Sequence, residues 1–365
     1  MSTETLSIAV LPGDGIGQEI MQAGLTVLDK LQSRIGGYQL EYRHLEAGAA
    51  YYQQHGVAIS DASFKATGEA DAILLGAMGL PSVRYPDGTE IAPHLTMRTE
   101  FGLFAGVRPV RAYPNTPRRL ADERAADIDF IVLRESTEGL FYSRDKGQVI
   151  DDTEALETLR ITRPVCEGLF DFAFNLARRR RDRGGKNMVT CVDKANVFRA
   201  MAFFRKIFDE RAALHPDVQH NHNYVDAQAL DLIRRPWDFD ILVMENMFGD
   251  IISDLGGGLV GGMGMAPCAE IGANHALFQP AHGTAPDIAG QNKANPTALF
   301  LSAAMMLDWL ADRHGNESLA TAAKVLDDAV YEGFASNRVH PCEFGGQDGT
   351  REVTEVILEL VSAAK

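Results

Sequence analysis

Short apolar runs alternate along this chain with stretches of helical spacing. Leu6–Leu11, Ala72–Leu75, Phe130–Leu133, Met188–Val192 and Ile241–Met244 have the length and continuous apolar character of strands buried on both faces. Apolar positions recur about every 3.6 residues over Ile16–Leu31, Ile161–Arg181, Val197–Leu214, Thr297–Arg313 and Glu317–Phe334. Strands alternating with helices predict an α/β fold around a largely parallel core sheet. Gly13–Gly17 reads as the turn from the first strand into the first helix. The proline- and arginine-rich stretch Pro109–Pro117 marks a candidate crossing between two lobes.

The 365 residues suffice for one large two-lobed unit or two domains, and 45% apolar with 23% charged residues is ordinary for a soluble protein. A formal net charge of −15 disfavours nucleic acid, which needs a basic face. The one basic run, Arg178–Arg181 with Arg183, lies at the end of a helical pattern, where cations complement the carbonyl dipole. Cys166, Cys191, Cys268 and Cys342 are widely spaced, so neither a disulfide framework nor a cysteine metal site is implied, and reduced thiols fit a cytoplasmic setting. Met1–Val10 lacks the pattern of a signal peptide, and no apolar run is long enough to span a bilayer.

Six local patterns carry candidate chemistry. Gly13-Asp14-Gly15-Ile16-Gly17 follows a strand, but its spacing is not that of a dinucleotide fingerprint, and a plain turn explains it equally well. Arg98, Arg108 and Arg134 offer guanidinium forks suited to carboxylates, the last two following strand-like segments. Asp250 and Asp254, four apart in NMFGDIISD, share a helix face and suit a hard cation; the competing reading is helix capping. Asp226 in YVDA, at a strand end, is a further oxygen ligand. Lys194 in CVDKAN is a candidate proton carrier. Finally, Pro280-Ala281-His282-Gly283-Thr284-Ala285-Pro286-Asp287-Ile288-Ala289-Gly290, running on to Asn295-Pro296, reads as a ligand-holding loop before a helix.

With Gly106-Val107-Arg108-Pro109-Val110 and Arg134-Glu135-Ser136-Thr137-Glu138-Gly139, these motifs stand in the order found in the β-decarboxylating dehydrogenases, which the chain resembles from about Ile8 to its last helix. That family includes isopropylmalate, isocitrate, homoisocitrate and tartrate/D-malate dehydrogenases. The resemblance implies a two-lobed α/β fold that is not a Rossmann fold. Residues 1–102 and 256–365 would form the cofactor-binding lobe and 103–255 the central lobe, with a dimerisation arm at about 143–158. It implies a homodimer with shared active sites, NAD, and Mg2+ or Mn2+. Arg98, Arg108 and Arg134 would clamp the substrate carboxylates; Asp250, Asp254 and a neighbour's Asp226 would hold the metal; Lys194, also from the neighbour, would move the proton. His282, Gly283, Thr284, Ala285, Asp287, Ile288 and Asn295 would hold the cofactor, Asp287-Ile288 favouring a ribose hydroxyl over a 2′-phosphate and hence NAD.

Two stretches depart from the family pattern. The tyrosine expected seven residues after Arg134 is Phe141, which has no transferable proton, leaving the adjacent Tyr142 as the candidate acid. Before Arg98, Ala92 replaces the serine of isocitrate enzymes, and His94 stands where isopropylmalate enzymes have a leucine. Ile91 and Leu95 would line an apolar pocket, with His94 meeting a polar group. The expected activity is oxidation, with decarboxylation, of a (2R)-hydroxy dicarboxylic acid in the manner of 3-isopropylmalate dehydrogenase. Tartrate or D-malate is the alternative substrate, and a non-catalytic homologue is opposed by the presence of every metal ligand, arginine and lysine.

Overall fold

The computed structural model describes residues 4–144 and 146–364; the terminal residues assigned to the cofactor lobe at 1–3 and 365, and Asp145 of the expected arm, lie outside them. Its strands are β1 (Glu4–Gly13), β2 (Tyr38–His44), β3 (Ala72–Ala77), β4 (Ala105–Arg111), β5 (Asp129–Glu135), β6 (Gln148–Ile150), β7 (Glu154–Leu156), β8 (Met188–Asp193), β9 (Gln219–Tyr224), β10 (Ile241–Met244), β11 (Pro267–Ile271) and β12 (Ala276–Pro280). Its helices are α1 (Gly17–Ile35), α2 (Ala49–His55), α3 (Asp61–Gly68), α4 (Pro93–Glu100), α5 (Arg163–Arg181), α6 (Arg199–Ala212), α7 (Val225–Arg234), α8 (Asn246–Leu259), α9 (Thr297–His314), α10 (Glu317–Ala335) and α11 (Thr350–Ala363).

Ten strands form one sheet in the order β2-β1-β3-β12-β11-β4-β5-β10-β8-β9, and β6 with β7 forms a separate antiparallel hairpin at the position expected for the arm. The sheet is largely parallel, but β12–β11, β11–β4 and β4–β5 pair antiparallel. Strands from the chain's two ends fill one half of the sheet and strands from its middle the other. The predicted apolar runs lie in β1, β3, β5, β8 and β10, whose central residues are almost fully buried because helices cover both faces. No described helix is long and apolar enough to cross a membrane.

The basic run closes α5 as expected, but its arginines are not simply solvated. Arg178 pairs with Asp217, Arg179 with Asp312, Arg180 with Asp240 and Arg183 with Asp308, tying α5 to its neighbours.

The GDGIG turn is a brace. The carboxylate of buried Asp14 accepts from the backbone amides of Ala49 (2.7 Å), Ala50 (2.8 Å) and Gly79 (2.9 Å). Gly15 has φ +55°, and a Cβ there would sit 2.1 Å from the Thr284 carbonyl oxygen. That closeness lets the Ile16 amide donate to the same carbonyl at 2.8 Å, fastening the turn to the HGTAP loop. Asp14→Ala strips three amides of a charged acceptor, so roughly 3 kcal/mol of stability is expected to be lost, read as a lower denaturation midpoint. An unchanged midpoint would show that the brace is dispensable.

Candidate functional site

Arg108 and Arg134 do not follow the strands of the sheet's middle, as the sequence suggested, but lie within them. Arg108 is in β4 and Arg134 in β5, each nearly buried. Glu270 of β11 pairs in register with Gly106 of β4, and Gly106 with Arg134 of β5. Residues in register project to the same face, as does Arg108, two along from Gly106. A row of charge therefore crosses three strands, with glycine in its centre. A Cβ at Gly106 would come 2.9 Å from Glu270 Oε2 and 2.6 Å from Ser136 Oγ, so only glycine leaves this cradle open.

Arg98 reaches the row from the last turn of α4 and bonds Glu270 at 2.8 Å, both side chains being nearly inaccessible. Arg108 donates to Ser253 Oγ at 2.7 Å and to Asp250 Oδ1 at 3.1 Å. Arg134 donates to Asn246 Oδ1 through two nitrogens, at 2.6 and 3.0 Å, and also pairs with Asp250. Burial first, then the charges of Arg108 and Arg98, lowers the Arg134 pKa, with Asp250 and Glu270 opposing. The Nε atoms of Arg98 and Arg108 are buried without partners, so the cluster retains donors for an anionic ligand.

α8 supplies the acidic side. Its N-cap is Glu245, whose carboxylate accepts from the Phe248 amide at 2.8 Å, so neither Asp250 nor Asp254 is needed for capping. Partial desolvation raises the Asp254 carboxyl, against the pull of Arg108 and with the charge of Asp250 adding to the rise. Two carboxylates one turn apart, both oxygen donors, fit a hard cation.

Asp226 begins α7 and pairs instead with Lys194, just beyond β8. Among the described residues of one chain, no three His, Cys, Asp or Glu side chains are grouped to hold a metal. Lys194 is positioned by its neighbour Asp193, whose buried carboxylate accepts from the Ala195 amide (2.8 Å) and twice from Arg205 (2.7 Å each). Exposed apolar side chains lie on the same helices: Leu230 and Ile233 of α7 and Ile251 of α8.

Phe141, not Tyr142, lies over Arg134, with its ring centre 5.1 Å from the guanidinium carbon. Tyr142 is held between Lys146 (3.7 Å) and Arg160 (3.8 Å), and its phenol pKa is lowered first by hydrogen bonding to Lys146, then by the charges of Lys146 and Arg160. The structure thus places Tyr142 with the cations flanking the hairpin and does not bring it to the arginine cluster. Ile91 is not a free wall: it is fully buried just before α4, while Leu95 within that helix is partly exposed. The partly exposed His94 ring has its Nδ1 sealed and unpartnered, and burial, then Arg98, lowers its pKa to about 3. A sealed lone pair is less costly than a sealed donor, which puts the proton of the neutral ring on Nε2.

The HGTAP loop borders a separate cleft of about 410 Å³, lined in part by Ile16, His282, Gly283, Ala285, Ile288 and Asn295. Its volume suits a nucleoside-sized ligand. His282 Nδ1 lies 2.8 Å from the Gly283 carbonyl and its Nε2 is buried without a partner, burial lowering the ring's pKa. Two residues assigned to cofactor binding have structural duties. Thr284 is buried and its hydroxyl donates to the Gly79 carbonyl at 2.7 Å. Asn295 Oδ1 accepts from the Thr297 amide and hydroxyl at the start of α9, and its Nδ2 donates to Glu343 at 3.0 Å. Asp287 is exposed. Sequence reasoning missed Met263, Cys342 and Glu343 in this cleft, and Glu270, Asn246 and Ser253 among the arginines. Only Glu270 carried a signal, a lone carboxylate in a strand otherwise apolar enough to be buried.

Residues 7–357 match the family model described as isocitrate/isopropylmalate dehydrogenase. The chain is 37% identical to the 3-isopropylmalate dehydrogenase of Aquifex aeolicus, with 98% of each covered. It is also 37% identical to the 3-isopropylmalate/3-methylmalate dehydrogenase of Methanocaldococcus jannaschii, over 97% of this chain and 98% of the relative. Among solved structures, isocitrate dehydrogenase from Methylococcus capsulatus superposes with a TM-score of 0.84 at 31% identity, over 98% of this chain and 99% of that one. A β-decarboxylating dehydrogenase from Thermococcus kodakarensis gives 0.78 at 32% identity, over 98% and 96%. The arginine row and the paired aspartates are thus carried on the mixed sheet of an enzyme, and the chain belongs to the isocitrate/isopropylmalate dehydrogenase family.

Proposed function

We propose that this enzyme oxidises a (2R)-hydroxy dicarboxylic acid with NAD and Mg2+ or Mn2+, in the manner of a 3-isopropylmalate dehydrogenase, with loss of CO2 after oxidation. The convergence of Arg108 and Arg134 on Asp250, with Arg98 held beside them by Glu270, is the observation behind this reading. Guanidinium forks hold carboxylates in a fixed orientation, and orientation is a large part of the catalytic advantage. Asp250 and Asp254 would hold the cation together with Asp226 of a second subunit. When bound, the cation would supply polarisation of the substrate's C2 oxygen, and the nicotinamide would accept the hydride. Lys194, also from the second subunit, would take the proton of the C2 hydroxyl, with Asp226 beside it to stabilise its charged form. Arg108 and Arg134, now held by Asp250, would turn to the incoming carboxylates.

The 410 Å³ cleft would take the adenosine end of NAD, with exposed Asp287, between the lining residues Ala285 and Ile288, to accept from a ribose hydroxyl. We assign 1–102 and 256–365 to the cofactor lobe, 103–255 to the central lobe and 143–158 to the dimerisation arm. A homodimer is supported by exposed Leu230 and Ile233 on the helix of Asp226 and Ile251 on that of Asp250, and by Val149 and Leu156, 74% and 47% exposed on the hairpin. All four cysteines are free, which fits a cytoplasmic setting. Chelation tests the reading: EDTA is expected to stop NAD reduction, and Mg2+ or Mn2+ to restore it. Turnover indifferent to EDTA would contradict it.

Tartrate or D-malate is a second reading, favoured by the His94 ring, whose unsealed Nε2 is a neutral donor one helical turn before Arg98. Phe141 bears on the decarboxylation step, because no phenol lies over Arg134. Phe141→Tyr is expected to raise CO2 released per NADH formed, with a decarboxylation rate gain of about tenfold or more. An unchanged ratio would mean that another group already supplies the proton.

A further inference from the structure

Glu270 has no role in the proposed reaction, yet it is the most deeply buried acid facing the arginine row. One oxygen is bound by Arg98 at 2.8 Å and lies 3.6 Å from the Cys268 thiol. The other, Oε2, is buried beside the Ser136 hydroxyl, which is placed to donate to it and has only a long 3.4 Å contact with the Arg134 carbonyl as its alternative. Burial alone would raise the Glu270 carboxyl, but Arg98, Arg108 and Arg134 together hold it below its usual range, so it stays charged. A fixed negative charge thus sits inside the cluster that would receive a substrate's carboxylates. It neutralises Arg98 and adds its field to that of Asp250. His94, the polar side chain one turn before Arg98, carries no positive charge to offset it.

We infer that Glu270 is a specificity-determining residue, which restricts this enzyme to 2-hydroxy dicarboxylates whose C3 substituent is uncharged and rejects those bearing a third carboxylate. A third carboxylate would meet Glu270 across the Gly106 cradle with no unspent cation, and like charges brought together in a desolvated site cost several kcal/mol. Glu270 touches no reacting atom; it acts through Arg98 and through its charge. The inference rests on the dehydrogenase reading above.

The test compares kcat and KM for D-malate, isopropylmalate and isocitrate in the wild type, Glu270→Gln and Glu270→Asp. The wild type is expected to prefer its best dicarboxylate over isocitrate by about a hundredfold or more in kcat/KM. Glu270→Gln should narrow that preference at least about tenfold, through a lower KM for isocitrate, and Glu270→Asp should keep it. Turnover with an unmoved preference in Glu270→Gln overturns the inference, and inactivity of the wild type on every acid overturns the dehydrogenase reading instead. If Glu270→Gln does not fold, calorimetry on the wild type decides. Equal binding of D-malate and isocitrate by the wild type overturns the inference.

Discussion

Lys194→Met is expected to lower kcat by roughly a hundredfold to ten-thousandfold, the usual contribution of a positioned general acid or base, with little change in KM. The variant keeps the length of the side chain and removes its proton. Lys194 is partly exposed and its ammonium bonds to Asp226 at the surface, so the fold should not depend on it. Unchanged melting together with lost turnover is the expected signature. Because Asp226 and Lys194 are proposed to act across a subunit boundary, Lys194→Met mixed with Asp250→Asn should regain part of the activity that each lacks alone. In a hybrid dimer one site receives both defects and the other neither. No recovery on mixing and refolding would mean that each site takes both residues from one chain.

Arg134→Met is expected to raise KM for the hydroxy acid and to cost 2–5 kcal/mol or so in kcat/KM, the range for truncating one partner of a buried charged pair. Arg134 is 2% exposed and forms three hydrogen bonds, two to Asn246 and one to Asp250. Its removal leaves Asn246 Oδ1 unsatisfied in the core, so a loss of stability should accompany the loss of binding. The two effects separate by measurement: NAD affinity should be nearly unaffected, because the cofactor cleft is lined by other residues. Equal loss of NAD and substrate binding would indicate general unfolding rather than a missing clamp.

Much of this arrangement was legible in the sequence because chemistry clusters where strands end. The apolar runs mark strands buried on both faces, and Asp250 and Lys194 lie within a few residues of such strands' ends, while Asp226 follows the edge strand β9. The aspartate pair could not be separated from helix capping until Glu245 was seen to hold the N-cap. Long-range pairing remained hidden. β9, QHNHNY, has no apolar alternation because it is an edge strand with exposed side chains. β11 and β12 escaped notice because their antiparallel insertion into the sheet's centre leaves no helix between them. Glu270 is visible in PCAEI as an acid out of place, but its partner Arg98 is distant in sequence, on the helix that precedes β4, the strand that β11 pairs with. Tyr142 looked like a substitute for Phe141 because the two are adjacent, yet consecutive residues in the short turn Leu140–Ser143 point apart, one to Arg134 and the other to Lys146 and Arg160.

NAD reduction by the purified protein with Mn2+ or Mg2+, across isopropylmalate, D-malate, tartrate and isocitrate, tests the central claim most directly, with CO2 measured in parallel. Rapid metal-dependent turnover of at least one of the first three, abolished in Asp250→Asn, is the predicted result. No turnover of any of the four by a protein that binds both NAD and metal would contradict it.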